Sequence, residues 1–467
     1  MKLPLLTTLC LAFLVLVLQM SSLAQDKQAV TTTLTLKQAQ DYAIINNANS
    51  RNSTIDMEIA KKKIWETTAI GLPQISAQVN YQHLFTVPEL SLGGTTYLAT
   101  SLPPATNVTS DDITNEKVYM GFTPGAPIKL GVANNTTLDL TVSQLIFSGE
   151  YIVGLQATKV FYTMTDQSRQ KTEIDLKESI ANTYAMALVF DQTRLVLNQS
   201  LENTSKTLSE MQEMYKQGLV ENTDVDQIEL VSLTLKNAVS SMSRQIDATY
   251  DLLKFQLGMP FADKVVLSDN LESIANTVNL ETLIAAQFNI NNNLDYQILM
   301  TSEEISKLNL KREKSTYLPN VAAVYRHNEM MNEPEFNFNP KDVVQIAMNI
   351  PIASSGQRNS KVQQRKLELQ KVINTKDNLA NGLQLQYINT RNELTTAYEK
   401  YLNDKRNIEL TKRILDKSLI KFKEGLASSR DITEFLNQYL TAQSNMYSSM
   451  LSLISAKYKL DKLNNNF

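Results

Sequence analysis

The residues that most often carry catalysis or bind metals are thinly spread in this chain of 467 residues. There are two histidines, His83 and His327, and a single cysteine, Cys10. No His-Glu-x-x-His run and no cysteine pair occurs, so the ligand spacings of a zinc site are missing. No Gly-x4-Gly-Lys-Ser/Thr loop occurs, so the chain carries no phosphate cradle of its own. The acids that stand out follow two Gly-Leu turns. Asp224 follows "QGLVENT", with Gly218 in the turn; Asp431 follows "EGLASSR", with Gly425 in the turn, and Glu434 comes three residues later. An acid in that position is first of all a helix-start residue. Asn222 or Thr223 suits one N-cap and Ser428 or Ser429 the other, and an acid in the first turn complements the helix dipole by roughly 0.3–1 kcal/mol. Such an inventory reads as a non-enzyme without cofactor or metal.

The elements that hold these residues come in duplicate. "LPQISA" (Leu72 to Ala77) returns as "LPNVAA" (Leu318 to Ala323), and Asn46-Asn47 returns as Asn292-Asn293. "YKQGLVENTDV" (Tyr215 to Val225) returns as "FKEGLASSRDI" (Phe422 to Ile432). The expected organisation is a leader at 1–24, a first repeat over 25–259 and a second over 260–467. Each repeat offers two strands with strict alternation, at about 74–85 and 137–147, and at about 320–328 and 343–352. An apolar row (Ile75, Ala77, Val79, Tyr81) faces one way, and a polar row faces the other. The polar candidates are Gln74, Ser76, Gln78, Asn80, Asp139, Thr141, Gln345 and Asn349, neutral apart from Asp139. The first inter-strand segment, roughly Thr86 to Asn135, is rich in Gly, Pro, Thr and Ser and reads as irregular surface chain.

Long helices follow the strands, at about 150–217 and 224–258, and at about 357–424 and 431–463. With only 13 glycines and 12 prolines in the chain, such uninterrupted elements are possible. At 1.5 Å per residue the longest would each run on the order of 100 Å. Past each turn a 3-4 apolar spacing resumes: Val225, Ile228, Leu235, Val239, Met242 and Ile246 in one, and Ile432, Phe435, Tyr439, Ala442, Met446 and Leu453 in the other. That is the seam of a coiled coil.

The N-terminus reads as an export leader. Lys2 precedes the apolar run Leu3 to Leu18, and Ser22-Leu23-Ala24 supplies a cleavage pattern before Gln25. Cys10 leaves with it, so no disulfide framework is expected. The formal net charge of −3 becomes −4 when Lys2 is removed, and no basic face for nucleic acid exists. Four half-apolar strands on an exported chain fit a membrane setting only if copies pool them. An open edge in lipid costs several kcal/mol per unpaired group, and membrane barrels start at about eight strands. Three copies would supply about 12 strands, enough for a lumen.

In these motifs, with "LTLKQAQDYAIINN" (Leu34 to Asn47), "SQLIFSGE" (Ser143 to Glu150) and "IPIASSGQ" (Ile350 to Gln357), the chain resembles the TolC-type outer-membrane efflux channels over nearly its whole mature length. The resemblance implies a mostly α fold: a long coiled-coil α-barrel tunnel in the periplasm, plus four strands per protomer in a shared 12-stranded β-barrel of a homotrimer. It implies a passive exit duct in the cell outer membrane, set in outer-membrane lipid and driven by a periplasmic adaptor and an inner-membrane pump. The exit duct of a type I protein-secretion system is the alternative within transport. A structural or adhesive surface coiled-coil protein is the alternative of another class. The resemblance also makes the helical tips the periplasmic mouth. Asp224 then matches a first-tip aspartate, and Asp431 and Glu434 match acidic-ring positions. Phe422 stands where the family pattern has a gate tyrosine and Ala427 where it has an arginine, with Arg430 close enough to substitute. Trp65, Tyr81 and Tyr325 are membrane-interface candidates, with simple aromatic packing the alternative for each.

Overall fold

The computed structural model describes residues 31–90, 94–100, 118–124, 127–276, 278, 280–285, 287–334 and 337–467. The expected leader lies outside them. Two units form: a helical one from Met1–Ile59, Thr163–Glu303 and Lys371–Phe467, and a sheet unit from Ala60–Tyr162 and Glu304–Gln370.

Helix lengths recur between the two halves of the chain. Helices α1 (Leu36–Asn46) and α2 (Ala48–Ala69, 22 residues) precede α3 (Gly149–Lys216, 68 residues) and α4 (Asn222–Leu257, 36 residues). Short α5 (Leu271–Asn276) and α6 (Leu280–Ala285) precede α7 (Leu294–Ser315, 22 residues), α8 (Gln357–Lys423, 67 residues) and α9 (Ser429–Asn464, 36 residues). Neither α3 nor α8 contains proline, which is what permits such runs.

In the helical unit most of the expected seam is buried, with Val239, Met242, Phe435 and Tyr439 half-buried. Val225, Ile228, Leu235 and Ile246 of α4 are inside, and so are Ile432, Ala442, Met446 and Leu453 of α9. Ser449, a polar residue on the same stripe of α9, is buried and donates to the Met446 carbonyl at 2.9 Å, which removes the cost of an unmet hydroxyl. One core layer draws on all four long helices: Leu197 and Leu201 of α3, Val231 and Leu235 of α4, Leu415 and Leu419 of α8, and Leu436 of α9.

The paired asparagines do one job twice. The Asn47 amide donates to the Gln256 carbonyl at 2.8 Å while its Oδ1 accepts from the Asn49 and Ser50 amides. The Asn293 amide donates to the Leu463 carbonyl at 3.2 Å while its Oδ1 accepts from Asp295 and Tyr296. Each therefore caps the start of one helix (α2 or α7) and ties it to the end of another (α4 or α9). Gly258 closes α4 with φ +72°, and a Cβ there would meet the Asn46 carbonyl oxygen at 2.5 Å, so both backbone sign and space demand glycine.

A feature absent from the sequence reading joins the halves. Strand β1 (Thr31–Leu34) pairs in parallel with β8 (Lys264–Leu267). The fully buried Tyr184 locks the pair: its hydroxyl donates to the Leu34 carbonyl at 2.9 Å and accepts from the Asp269 amide at 3.3 Å. Burial pushes this phenol well above its ordinary value, so it stays a donor.

In the sheet unit, β2 (Gln74–His83), β7 (Asn134–Phe147), β9 (Asn320–Met330) and β10 (Asp342–Asn349) form one antiparallel sheet in the order β10-β9-β7-β2. Strand β10 ends at Asn349, short of the expected 352, because Pro351 has no N–H to extend the ladder. The first inter-strand segment is not irregular throughout. Strand β3 (Glu89–Leu90) pairs with β6 (Ile128–Lys129), and β4 (Gly94–Thr100) pairs with β5 (Val118–Pro124). Gly94, Gly121 and Pro124 lie within the β4–β5 ladder, so glycine and proline did not exclude strands there; residues 101–117 of the segment lie outside the described residues. Return to helix is tight at Gly149: a Cβ there would meet the Ser315 Cβ at 2.8 Å.

Candidate functional site

Two surfaces hold the predicted site residues, one in each unit. In the sheet, the register settles which residues share a face. Gln74 lies opposite Ser143, Ser76 opposite Thr141, Gln78 opposite Asp139 and Asn80 opposite Thr137. Asp139 lies opposite Asn328 and Thr141 opposite Arg326 across the next ladder. Gln345 lies opposite Val324 and Asn349 opposite Asn320 across the last. Because side chains alternate along each strand, all eight predicted polar residues fall on one face. The same register adds two residues that were not predicted, Arg326 and Asn328, so Asp139 is not that face's sole charge. Counting alternation along "VYRHN" from Val324 finds both.

The polar face is hydrogen-bonded into a band. Gln78 donates to Asn80 at 2.9 Å, and Asn80 donates to Asp139 at 3.2 Å. Asn328 donates to the other Asp139 oxygen at 2.6 Å. Two amides, one from each neighbouring strand, thus hold one carboxylate. Arg326 makes no hydrogen bond or ion pair among the described residues, and it is exposed.

The opposite face carries the apolar row. Ile75 is 72% exposed and Val344 77%, with Val79, Ile346 and Met348 similarly bare. Both hairpins repeat one device near their loop ends. Tyr81 and His83 reach Asn134 at 3.1 and 2.7 Å, and Tyr325 and His327 reach Asp342 at 2.6 and 2.8 Å. The outer strands β2 and β10 have no further strand beside them among the described residues. A four-stranded sheet with an apolar face and two open edges is unfinished in water and in lipid alike.

In the helical unit, the two turns share a backbone. Gly218 has φ +74° and Gly425 φ +72°. Gly218 N–H reaches the Tyr215 carbonyl and Leu219 N–H the Met214 carbonyl; Gly425 and Leu426 do the same to Phe422 and Lys421, at 2.8–3.0 Å throughout. This is a glycine C-cap closed by paired bonds, repeated.

Their side chains differ. Ser428 is the N-cap of α9. Its hydroxyl accepts from the Asp431 amide at 3.2 Å, and the Asp431 carboxylate accepts from the Ser428 amide at 2.9 Å. That amide first, then the Ser428 hydroxyl and the charge of Arg430, hold the Asp431 carboxyl below the usual aspartate range. In α4 the N-cap is Glu221, not Asn222 or Thr223, and it makes no side-chain cap bond. Asp224 is therefore free of capping and accepts a very short hydrogen bond from the hydroxyl of Ser429, which also lies 3.3 Å from Gln227 Oε1. Ser429 is buried. Phe422 packs beside Met211, Val225 and Ile228, where a tyrosine hydroxyl would have little use. Glu434 is exposed and accepts from Gln438 at 3.3 Å; Arg430 and Glu434 line a polar groove of about 770 Å³ with Gln227, Asn407 and Thr411. The structure thus joins Asp224 to Ser429, which was named only as a capping option, and keeps Asp431 local.

No helix among the described residues is long and apolar enough to cross a membrane. No protein-family model and no curated protein sequence matches the chain. Solved structures do. The Campylobacter jejuni CmeC outer membrane channel matches at TM-score 0.69 and 13% identity, over 92% of this chain and 86% of that one. The Vibrio cholerae outer membrane protein VceC matches at 0.67 and 12%, over 92% and 95%. The open state of the Neisseria gonorrhoeae MtrE outer membrane channel matches at 0.65 and 13%, over 92% and 88%. At such identities what is shared is the fold: long paired helices with a small β part, as in the TolC-type outer-membrane channels.

Proposed function

We propose that this chain, which shares the fold of the TolC-type outer-membrane channels, is the outer-membrane channel-tunnel of a tripartite efflux system. It is a passive exit duct for small molecules, working with a periplasmic adaptor and an inner-membrane pump. The observation that carries this reading is the unfinished sheet. Its apolar face is bare, its polar face is hydrogen-bonded, and its two edges are open among the described residues. In a bilayer those edges each forfeit several kcal/mol per unpaired group unless another strand meets them, and four strands are too few to close a ring. Identical sheets from sister chains, edge to edge, complete the ladder with Gln74, Ser76, Gln78, Asn80, Asp139, Thr141, Gln345 and Asn349 toward water. Three copies give a lumen.

The helical tips are the mouth of the duct in this reading. Asp224 and Ser429 clasp the two tips of one protomer, taking the part that Phe422 and Ala427 do not fill. Asp431 and Glu434 bring negative charge to the same region, and Gly218 and Gly425 set the turns. The test is direct: purified, detergent-extracted protein should appear as a hollow cylinder by electron microscopy and should conduct ions across a planar bilayer. A monomer recovered without detergent, or a solid rod that does not conduct, overturns the proposal and favours a surface coiled coil.

A further inference from the structure

The polar face of the sheet carries two charges per chain, and they are not equivalent. Asp139 is engaged by two amides, Asn80 of β2 and Asn328 of β9. Arg326 sits on the same face, opposite Thr141 on one side and Val343 on the other, with its guanidinium unmet among the described residues. The carboxylates near that end of the hairpin are all occupied on the opposite face or in the loop. Asp342 is taken by Tyr325 and His327, while Glu329 and Glu333 are taken by Lys341 at 3.0 Å each.

The duplicated hairpin provides an internal control. Tyr81-Gln82-His83 and Tyr325-Arg326-His327 place their tyrosine and histidine alike, each pair held by one residue of the neighbouring strand. Between them the first hairpin has a neutral amide, Gln82, paired across the ladder with Asn135, and the second has a cation. The strand geometry does not require arginine at that position, since Gln82 satisfies it in the first hairpin. An unpaired guanidinium is a rigid fork for carboxylate, phosphate or sulfate oxygens.

We propose that Arg326 makes the water-facing side of the sheet an anion-binding wall, and that the solutes passing it include organic anions bearing carboxylate, phosphate or sulfate groups. This rests on the reading of the polar face as a lumen, where each copy would add one arginine at the same height and the ring would focus its field on the duct. The test uses the full-length trimer in planar bilayers at low salt, where screening is weak. Tripolyphosphate is added to either side in turn. Block of the wild-type current is expected from at least one side. Arg326→Gln should raise the half-blocking concentration roughly tenfold or more, and Arg326→Lys should fall between, since lysine keeps the charge and loses the fork. Conductance in simple salt confirms that each variant assembles. A conducting Arg326→Gln channel blocked as readily as wild type overturns the inference and leaves the duct standing; a wild-type protein that never conducts overturns both.

Discussion

The two helical turns of this molecule have the same backbone and opposite uses for the same residue. Gly218 and Gly425 adopt the same left-handed conformation and close the same pair of hydrogen bonds. Asp224 and Asp431 then stand at the same third position of the following helix. At the second turn, Ser428 supplies a cap and Asp431 completes it, so the carboxylate is used up within its own turn. At the first turn, Glu221 supplies no cap, and Asp224 reaches across to Ser429. What distinguishes a local structural acid from a bridging one is thus the residue three places before it. A repeated scaffold lets one copy do the folding work and the other take a new contact.

The comparison can be broken most sharply at the bridge. A hydrogen bond to a charged group contributes about 1.5–3 kcal/mol, so on the proposed reading of the tips as a mouth Ser429→Ala should shift its closed-to-open balance by roughly tenfold or more. The readout is single-channel open probability, and Ser429→Thr should restore the wild-type value. Unchanged gating in a folded Ser429→Ala trimer would mean that the bond between the turns is ornamental.

A smaller and more telling effect is expected from making the first turn resemble the second. Glu221→Ser places a serine three residues before Asp224, the spacing of a capping box. The first turn of α4 should gain about 1 kcal/mol of protection, roughly fivefold slower amide exchange. Asp224, drawn back to its own helix, should release Ser429, so openings should also become more frequent. Slower exchange without more openings would separate the cap from the bridge and refute the idea that they compete.

The smallest effect concerns acid. The Asp431 carboxyl is held below its ordinary value of 3.8 by the Ser428 amide, so its cap is complete above that value and is lost only as pH falls through the lower, folded one. Pepsin cleavage near the start of α9 should therefore rise as pH drops from about 4 to about 2. In Asp431→Asn the rise should vanish, because cleavage is already present at the higher pH. A parallel acid response in both proteins would assign the fraying to some other group.

Much of this arrangement could be read from residue order alone. Alternation along "QISAQVNYQ" and along β7 and β10 placed eight polar side chains on one face, since a ladder in register cannot scatter a period of two. The long helices follow from the scarcity of proline and glycine. Contacts that cross great sequence distance were not readable in the same way. Nothing near Asp224 announces Ser429, 205 residues away, and the four-residue strands β1 and β8 are too short for any periodicity to show. Arg326 was legible by the same alternation, counted along "VYRHN" from Val324.

The pairing of β1 with β8 has a consequence in time. The Leu36 amide bonds to Asp269, 233 residues along the chain. A polypeptide delivered from its N-terminus must therefore hold its first strand unmatched until more than half of its length has arrived. Closing so large a circle is slow, because entropy must be surrendered before the contact returns anything. The leading segment seats only once the chain has arrived as far as Asp269, so the edge at β1 closes on the opening residues of the second repeat and waits on none beyond them.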